Sequence, residues 1–190
     1  ERLTTPQGFM LLVKVRDEYW VQEMHGPLYQ LKDGLWSRNE GSEFLNGTTT
    51  RVILPYGDDR YLIGTSTGEM YIYDKTHFVP WNHALSRQLK GLELNCGIYC
   101  PKRNTYYLGT QLSGIYEVDM EGNILNHFYA GNSLQNNTIL SLYEDKSNNI
   151  WIAMDRGLAY IRYTDGLSYY RAVDGNSSSV YAATLWNGYL

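Results

Sequence analysis

The chain has 190 residues, is 43% hydrophobic and carries a formal net charge of −4, an ordinary globular composition. Lys and Arg are scattered and form no basic run, which argues against a nucleic-acid partner. No stretch approaches the ~18 consecutive apolar residues of a transmembrane helix, so this segment is expected to make no membrane contact.

Residues 1–7 read as a loop, and a start at Glu1, without Met or a signal peptide, reads as a chain whose natural N-terminus is missing. Phe9 to Val15, Tyr19 to Gln22 and Leu28 to Leu31 read as strands, Leu35-Trp36-Ser37 as a short outer strand and Glu40 to Gly47 as a connection. The pattern then recurs. Arg51 to Leu54, Tyr61 to Thr65, Met70 to Tyr73 and Phe78 to Trp81 are strands, with Asp58-Asp59 and Asp74-Lys75-Thr76 as turns. Asn82 to Lys90 carries Ala84, Leu85, Gln88 and Leu89 at helical spacing, but so short a stretch is expected to be an ordinary loop turn. Ile98 to Cys100, Tyr106 to Thr110, Ile115 to Val118 and Ile124 to Tyr129 make a third set. A fourth runs from Ile139 through Ile150 to Met154 and Leu158 to Ile161, closed by Ser168 to Val173. Val180 to Thr184 and the residues after it read as the start of a fifth.

Four segments share one ending. Tyr19-Trp20-Val21, Tyr61-Leu62-Ile63-Gly64-Thr65, Tyr106-Tyr107-Leu108-Gly109-Thr110 and Ile150-Trp151-Ile152-Ala153 are each followed by a glycine and a further strand. Gln22, Gly64, Gly109 and Ala153 are then equivalent, at separations of 42, 45 and 44 residues. A period of ~40–50 residues with several short strands per unit marks β-propeller blades. The expected fold is all-β: about four four-stranded antiparallel meanders and the start of a fifth. The blades fall at about 8–47, 48–91, 92–133 and 134–175, with the fifth starting at 176–190. Propellers close with roughly four to eight blades, so a chain ending inside a blade reads as a fragment of a larger propeller.

Asn136-Asn137-Thr138-Ile139, Glu144-Asp145, Asn149-Ile150-Trp151-Ile152-Ala153-Met154 and Gly157-Leu158 together resemble the two-component regulator propeller repeat. The second and third units keep Gly-Thr without the Trp, and the first has Gln22-Glu23 in that place. The resemblance implies the periplasmic sensor region of a hybrid two-component histidine kinase of the Bacteroides type. The parent would be anchored in the inner membrane and homodimeric, and would respond to oligosaccharides. The phosphorylated histidine and the catalytic part of the kinase are not in this chain, which is expected to be no enzyme itself. Its partners would be an oligosaccharide and the rest of the sensor chain. The rival readings are a protein-interaction scaffold and a polysaccharide-degrading propeller enzyme.

No nucleophile elbow, P-loop, zinc pattern or paired-carboxylate signature stands out, so no cofactor, metal or catalytic residue is assigned. Asp58-Asp59 and Glu144-Asp145 sit at turns, where Asp bonds its own backbone. Asn46-Gly47-Thr48, Asn136-Asn137-Thr138 and Asn176-Ser177-Ser178 fit a glycosylation pattern but also fall at turns. Cys96 and Cys100 lie roughly 13 Å apart if they share a strand, too far for a disulfide. Eighteen Tyr against four Phe suit half-buried strands, and also sugar-binding surfaces. Ligand contacts are expected in the loops that join strands two and three, because a rigid scaffold presents its loops. In those loops the candidates are Glu23, His25, Gln111, Asp155 and Arg156. Arg156 leads, since a guanidinium can grip the carboxylate of an acidic sugar bidentately. The ordinary alternative for it is a solvated turn charge.

Overall fold

The computed structural model describes residues 7–163 and 166–170, the last five as backbone only. Val180 to Thr184, the fifth-unit start and the Asn176-Ser177-Ser178 pattern lie outside the described residues. Among the described residues sixteen strands form four four-stranded antiparallel sheets, each a simple meander. Blade one holds β1 (Phe9–Val15), β2 (Glu18–Glu23), β3 (Leu28–Lys32) and β4 (Leu35–Arg38). Blade two holds β5 (Thr50–Tyr56), β6 (Arg60–Thr65), β7 (Met70–Tyr73) and β8 (Phe78–Pro80). Blade three holds β9 (Leu94–Cys100), β10 (Thr105–Thr110), β11 (Ile115–Val118) and β12 (Ile124–Phe128). Blade four holds β13 (Ile139–Glu144), β14 (Ile150–Met154), β15 (Leu158–Arg162) and β16 (Gly166–Tyr170).

The equivalence read from the sequence holds in the register. Gln22, Gly64, Gly109 and Ala153 pair with Leu28, Met70, Ile115 and Leu158, each the first residue of its blade's third strand. A second repeated feature carries no sequence signal. Opposite these positions every blade has an irregularity in its first strand, at Met10, Arg51, Asn95 and Leu140. One unpaired residue per blade bends the strand and increases its twist.

The chain divides after Gly91 into two compact units of two blades each. In the first unit, Val15, Trp20, Leu28, Leu45, Ile53, Tyr61, Ile63 and Tyr73 form one buried cluster. Trp20 is fully buried at its centre, edge-on to Tyr61 at 4.6 Å and to Tyr73 at 6.0 Å. In the second unit, Ile115, Ile139, Leu142, Ile150, Ile152 and Ile161 are part of the corresponding cluster. Neither blade of a pair buries both faces of its own sheet, so each supplies one face to its neighbour.

Two connections differ from expectation. Residues Ser42–Leu45 form a 3-10 turn within the first connection. The stretch read as a loop turn is a helix, α1 (His83–Leu89). The Asn82 side chain caps it by accepting from the N–H of Ala84 at 3.0 Å and of Leu85 at 3.1 Å. Leu85 and Leu89 are both buried. At Gly68 (φ 86°), a Cβ would stand 2.5 Å from the Leu89 carbonyl oxygen. Seven residues are too few to hold a helix alone in water, so this close seat on the blade-two loop decides the matter.

Candidate functional site

The loops joining strands two and three are tied to the start of their own blade in one repeated way. The N–H groups of Met24, Ser66, Gln111 and Asp155 donate to the carbonyls of Gly8, Thr49, Glu93 and Thr138, at 2.7–2.9 Å. The donor is the equivalent loop residue in all four blades, and the acceptor lies just before the first strand. The loops and the lead-ins of the first strands therefore form one edge of each blade, as a ligand-presenting face requires.

In the first unit, Glu23 ends β2 half-buried and accepts from the Tyr29 hydroxyl at 3.4 Å. Burial, and then the Glu23 charge, raise the Tyr29 phenol above its ordinary value. His25 is exposed with φ 57°, and its carbonyl accepts from the Gly47 N–H at 3.3 Å. That bond links the blade-one loop to the lead-in of blade two.

In the second unit, Gln111 and Asp155 meet through Thr138. The Thr138 hydroxyl donates to the Gln111 carbonyl at 2.8 Å, and the Thr138 carbonyl accepts from the Asp155 N–H at 2.9 Å. Arg156 follows, exposed, so its guanidinium stands where a ligand carboxylate can reach it. Asn136 is occupied as a turn residue, its side-chain oxygen accepting from the Thr138 N–H at 2.7 Å.

The residues that carry the family resemblance have structural work. Asp145 accepts from the N–H of Ser147 at 2.8 Å and of Asn149 at 3.0 Å, and from the Trp151 indole N–H at 3.0 Å. Partial burial raises its carboxyl, but donors from Asn149, Trp151 and Ser147 outweigh this and hold it below the ordinary range. The turn is thus stapled to the strand that follows it. Asp59 is ion-paired with Lys75. Among the described residues no group of three His, Cys, Asp or Glu side chains is arranged to hold a metal ion. Cys96 and Cys100 are free thiols on β9, and burial pushes each up to about 12.

One feature gave no sign in the sequence. A cavity of about 370 Å³ lies between the outer strands of blade one and the end of β7 with its turn. Gln30, Asn39 and Tyr73 are among the residues that line it, and none of the five loop candidates does. These residues come from separate strands and share no spacing a pattern could reveal.

A family model described as "Two component regulator propeller" matches residues 133–156, the stretch stapled by Asp145 and Trp151. No curated protein matches. Among solved structures, one extracellular domain of a B. thetaiotaomicron protein described as a hybrid two component system superposes with a TM-score of 0.73. It is 14% identical, over 90% of this chain and 24% of that one. A second such domain from the same organism gives 0.66 at 19% identity, over 95% of this chain and 24% of that one. A catalytically inactive virginiamycin B lyase from Staphylococcus aureus gives 0.69 at 12% identity, over 93% and 59%. At these identities the likeness is one of fold. The chain spans about a quarter of the length of the two extracellular domains.

Proposed function

We propose that the chain is a piece of the extracytoplasmic ligand-sensing propeller of a hybrid two-component sensor histidine kinase, and that its ligand is an oligosaccharide. The observation that carries this reading is the two-component regulator propeller repeat at residues 133–156. The two B. thetaiotaomicron extracellular domains add support, as does the fact that no helix among the described residues is long and apolar enough to cross a membrane. The location that follows is the periplasm, with the parent held in the inner membrane.

In this reading the chain does no chemistry. Loop residues contact the glycan, and each unit is a candidate by itself: Glu23 and His25 in the first, Gln111, Asp155 and Arg156 in the second. The ligand binds one arrangement of a homodimeric sensor more tightly than another, and this difference in affinity drives the signal to the kinase. A ligand with equal affinity for both arrangements would shift nothing.

The test is thermal melting of the protein with a panel of neutral and acidic oligosaccharides. A ligand at ~100 times its dissociation constant adds about 2.7 kcal/mol to stability, a clear rise in Tm. Selective stabilisation by one glycan class is the expected result. A flat response across the panel, with folded protein, would favour a protein-interaction scaffold instead.

A further inference from the structure

We infer that the cavity between the outer strands of blade one and the end of β7 is a binding site for a neutral polyhydroxylated ligand of one or two sugar rings. This deepens the sensor reading and rests on it, adding a place and a ligand class that the loops do not supply.

The first argument is size and lining. About 370 Å³ falls at the small end of the range of ligand pockets. Every side chain that lines it carries a polar atom, from the amides of Gln30 and Asn39 to the hydroxyls of Ser37, Tyr73 and Thr76. Their carbon stems and the Tyr73 ring face it as well, so it offers polar and apolar surface together, as a sugar ring with its hydroxyls needs.

The second argument is an unused acceptor. Asn39 is 5% exposed. Its amide nitrogen donates to the Gln30 side-chain oxygen at 3.2 Å and to the Tyr73 hydroxyl at 3.4 Å, which fixes the side chain. The Tyr73 hydroxyl donates in turn to the Lys75 carbonyl at 2.9 Å. Held in this way, the Asn39 Oδ1 is buried and accepts from no donor among the described residues. Buried polar atoms are rarely left so, because an unmade hydrogen bond costs more than a made one gains. A ligand hydroxyl donates to Asn39 Oδ1 and can still accept, whereas a carboxylate group in that place could only accept.

The third argument is charge. Lys32, Arg38 and Lys75 line the cavity, but Arg38 is paired with Glu43 at 2.9 Å and Lys75 with Asp59. Glu18, which accepts from Gln30 and from Tyr61, and Glu40 line it beside Lys32. An acidic ligand would meet two carboxylates and one uncommitted cation. A neutral sugar meets donors and acceptors of both kinds.

The experiment is isothermal titration of the protein with neutral mono- and disaccharides, with galacturonate as the acidic comparison. One neutral sugar is expected to bind at about millimolar affinity or tighter, as its dozen or so heavy atoms allow, and galacturonate at least tenfold more weakly. Ser37→Trp, at an exposed position of the lining, fills the cavity and leaves the Asn39 network whole. Asn39→Ala removes the acceptor. Each is expected to weaken binding at least tenfold. Unchanged affinity in both variants would overturn the inference. Loss of binding in Arg156→Ala with none in Ser37→Trp would also overturn it, and would move the sugar to the loops. If only longer oligosaccharides raise the Tm, the cavity fails and the sensor reading stands. If no saccharide of any size binds or stabilises, both fail.

Discussion

The Gln22 side-chain oxygen accepts the backbone N–H of Thr50 at 2.7 Å, so blade one grips the first residue of the inner strand of blade two. The same amide donates to the carbonyls of Gly26 at 3.2 Å and Thr48 at 3.1 Å. In the second unit the equivalent residue is Gly109, and Ile139, the counterpart of Thr50, packs where a side chain would be. One contact between neighbouring blades is thus made in two chemistries, polar in the first pair and apolar in the second. Gln22→Ala is expected to cost about 2–4 kcal/mol, because a buried side chain with three hydrogen bonds is lost and its partners are left unpaired. Gln22→Gly, which installs the residue of the next two units, should cost at least as much, since Thr50 cannot fill the space as Ile139 does. Urea unfolding measures both. A glycine variant as stable as the parent would show that the Gln22 bonds contribute nothing.

Gly109 is the reverse case. A Cβ there would stand 2.7 Å from Ile139 Cγ2 and 2.8 Å from Cys96 Sγ, inside a packed cluster. Gly109→Ala is expected to destabilise by about 1–3 kcal/mol through overpacking. Combining it with Ile139→Ala should cost less than the two single changes added, because the second makes room for the first. Strict additivity in denaturant melts would argue that the approach of Ile139 is not the constraint.

These two positions also show what the sequence makes legible. The shared strand endings reveal the blades because strand alternation and turn residues are local, and because the repeat brings them back four times, two of them with Gly-Thr intact. Gln22 is visible as a departure from the pattern, but the partner that explains it, Thr50, lies in the next blade. The extra residues Met10, Arg51, Asn95 and Leu140 are chemically unlike, so no motif marks the irregularity they share. Helix α1 depends on the burial of Leu85 and Leu89 and on the missing Cβ of Gly68, which are tertiary facts. The loop candidates follow from strand order alone, whereas the Gln30, Asn39 and Tyr73 cavity appears only when two blades are placed side by side.

Acid should destabilise the fold over a defined range. Hydrogen bonds from the Thr76 hydroxyl and from the N–H groups of His77 and Thr76 lower the Asp74 carboxyl to about 2. Asp119 and Asp145 are raised by partial burial, yet their side-chain and backbone donors bring each below the ordinary value. A carboxyl lowered by folding contributes stability that is complete above its unfolded pKa, about 3.9, and is lost as pH falls through the folded value. Glu144 runs the other way, since burial raises it, so its protonation favours the fold. Asp59 is lowered too, by its bond to Lys75, so with four lowered groups against one raised the Tm should drop as pH falls from about 4 towards about 2. Asp74→Asn should flatten that drop. An acid limb unchanged by the substitution would mean that the Asp74 turn does not persist in solution.

The two thiols supply the last prediction. Cys100 is fully buried, and Cys96 packs against the same cluster through Gly109 and Ile139. Burial pushes both up to about 12, so at pH 8 almost none of either is thiolate, the form that reacts. Native protein should therefore resist iodoacetamide at pH 8, whereas protein unfolded in guanidinium should take up one label at each cysteine, read by intact mass. Labelling during partial denaturation then reports when the blade-three strand β9 opens. If Cys96 labels in native buffer while Cys100 does not, the contact between Gly109 and Ile139 is opening locally, below the global transition. Gly109→Ala should make such opening easier and speed Cys96 labelling first. Equal acceleration at both cysteines would mean that the blades of the second unit unfold together.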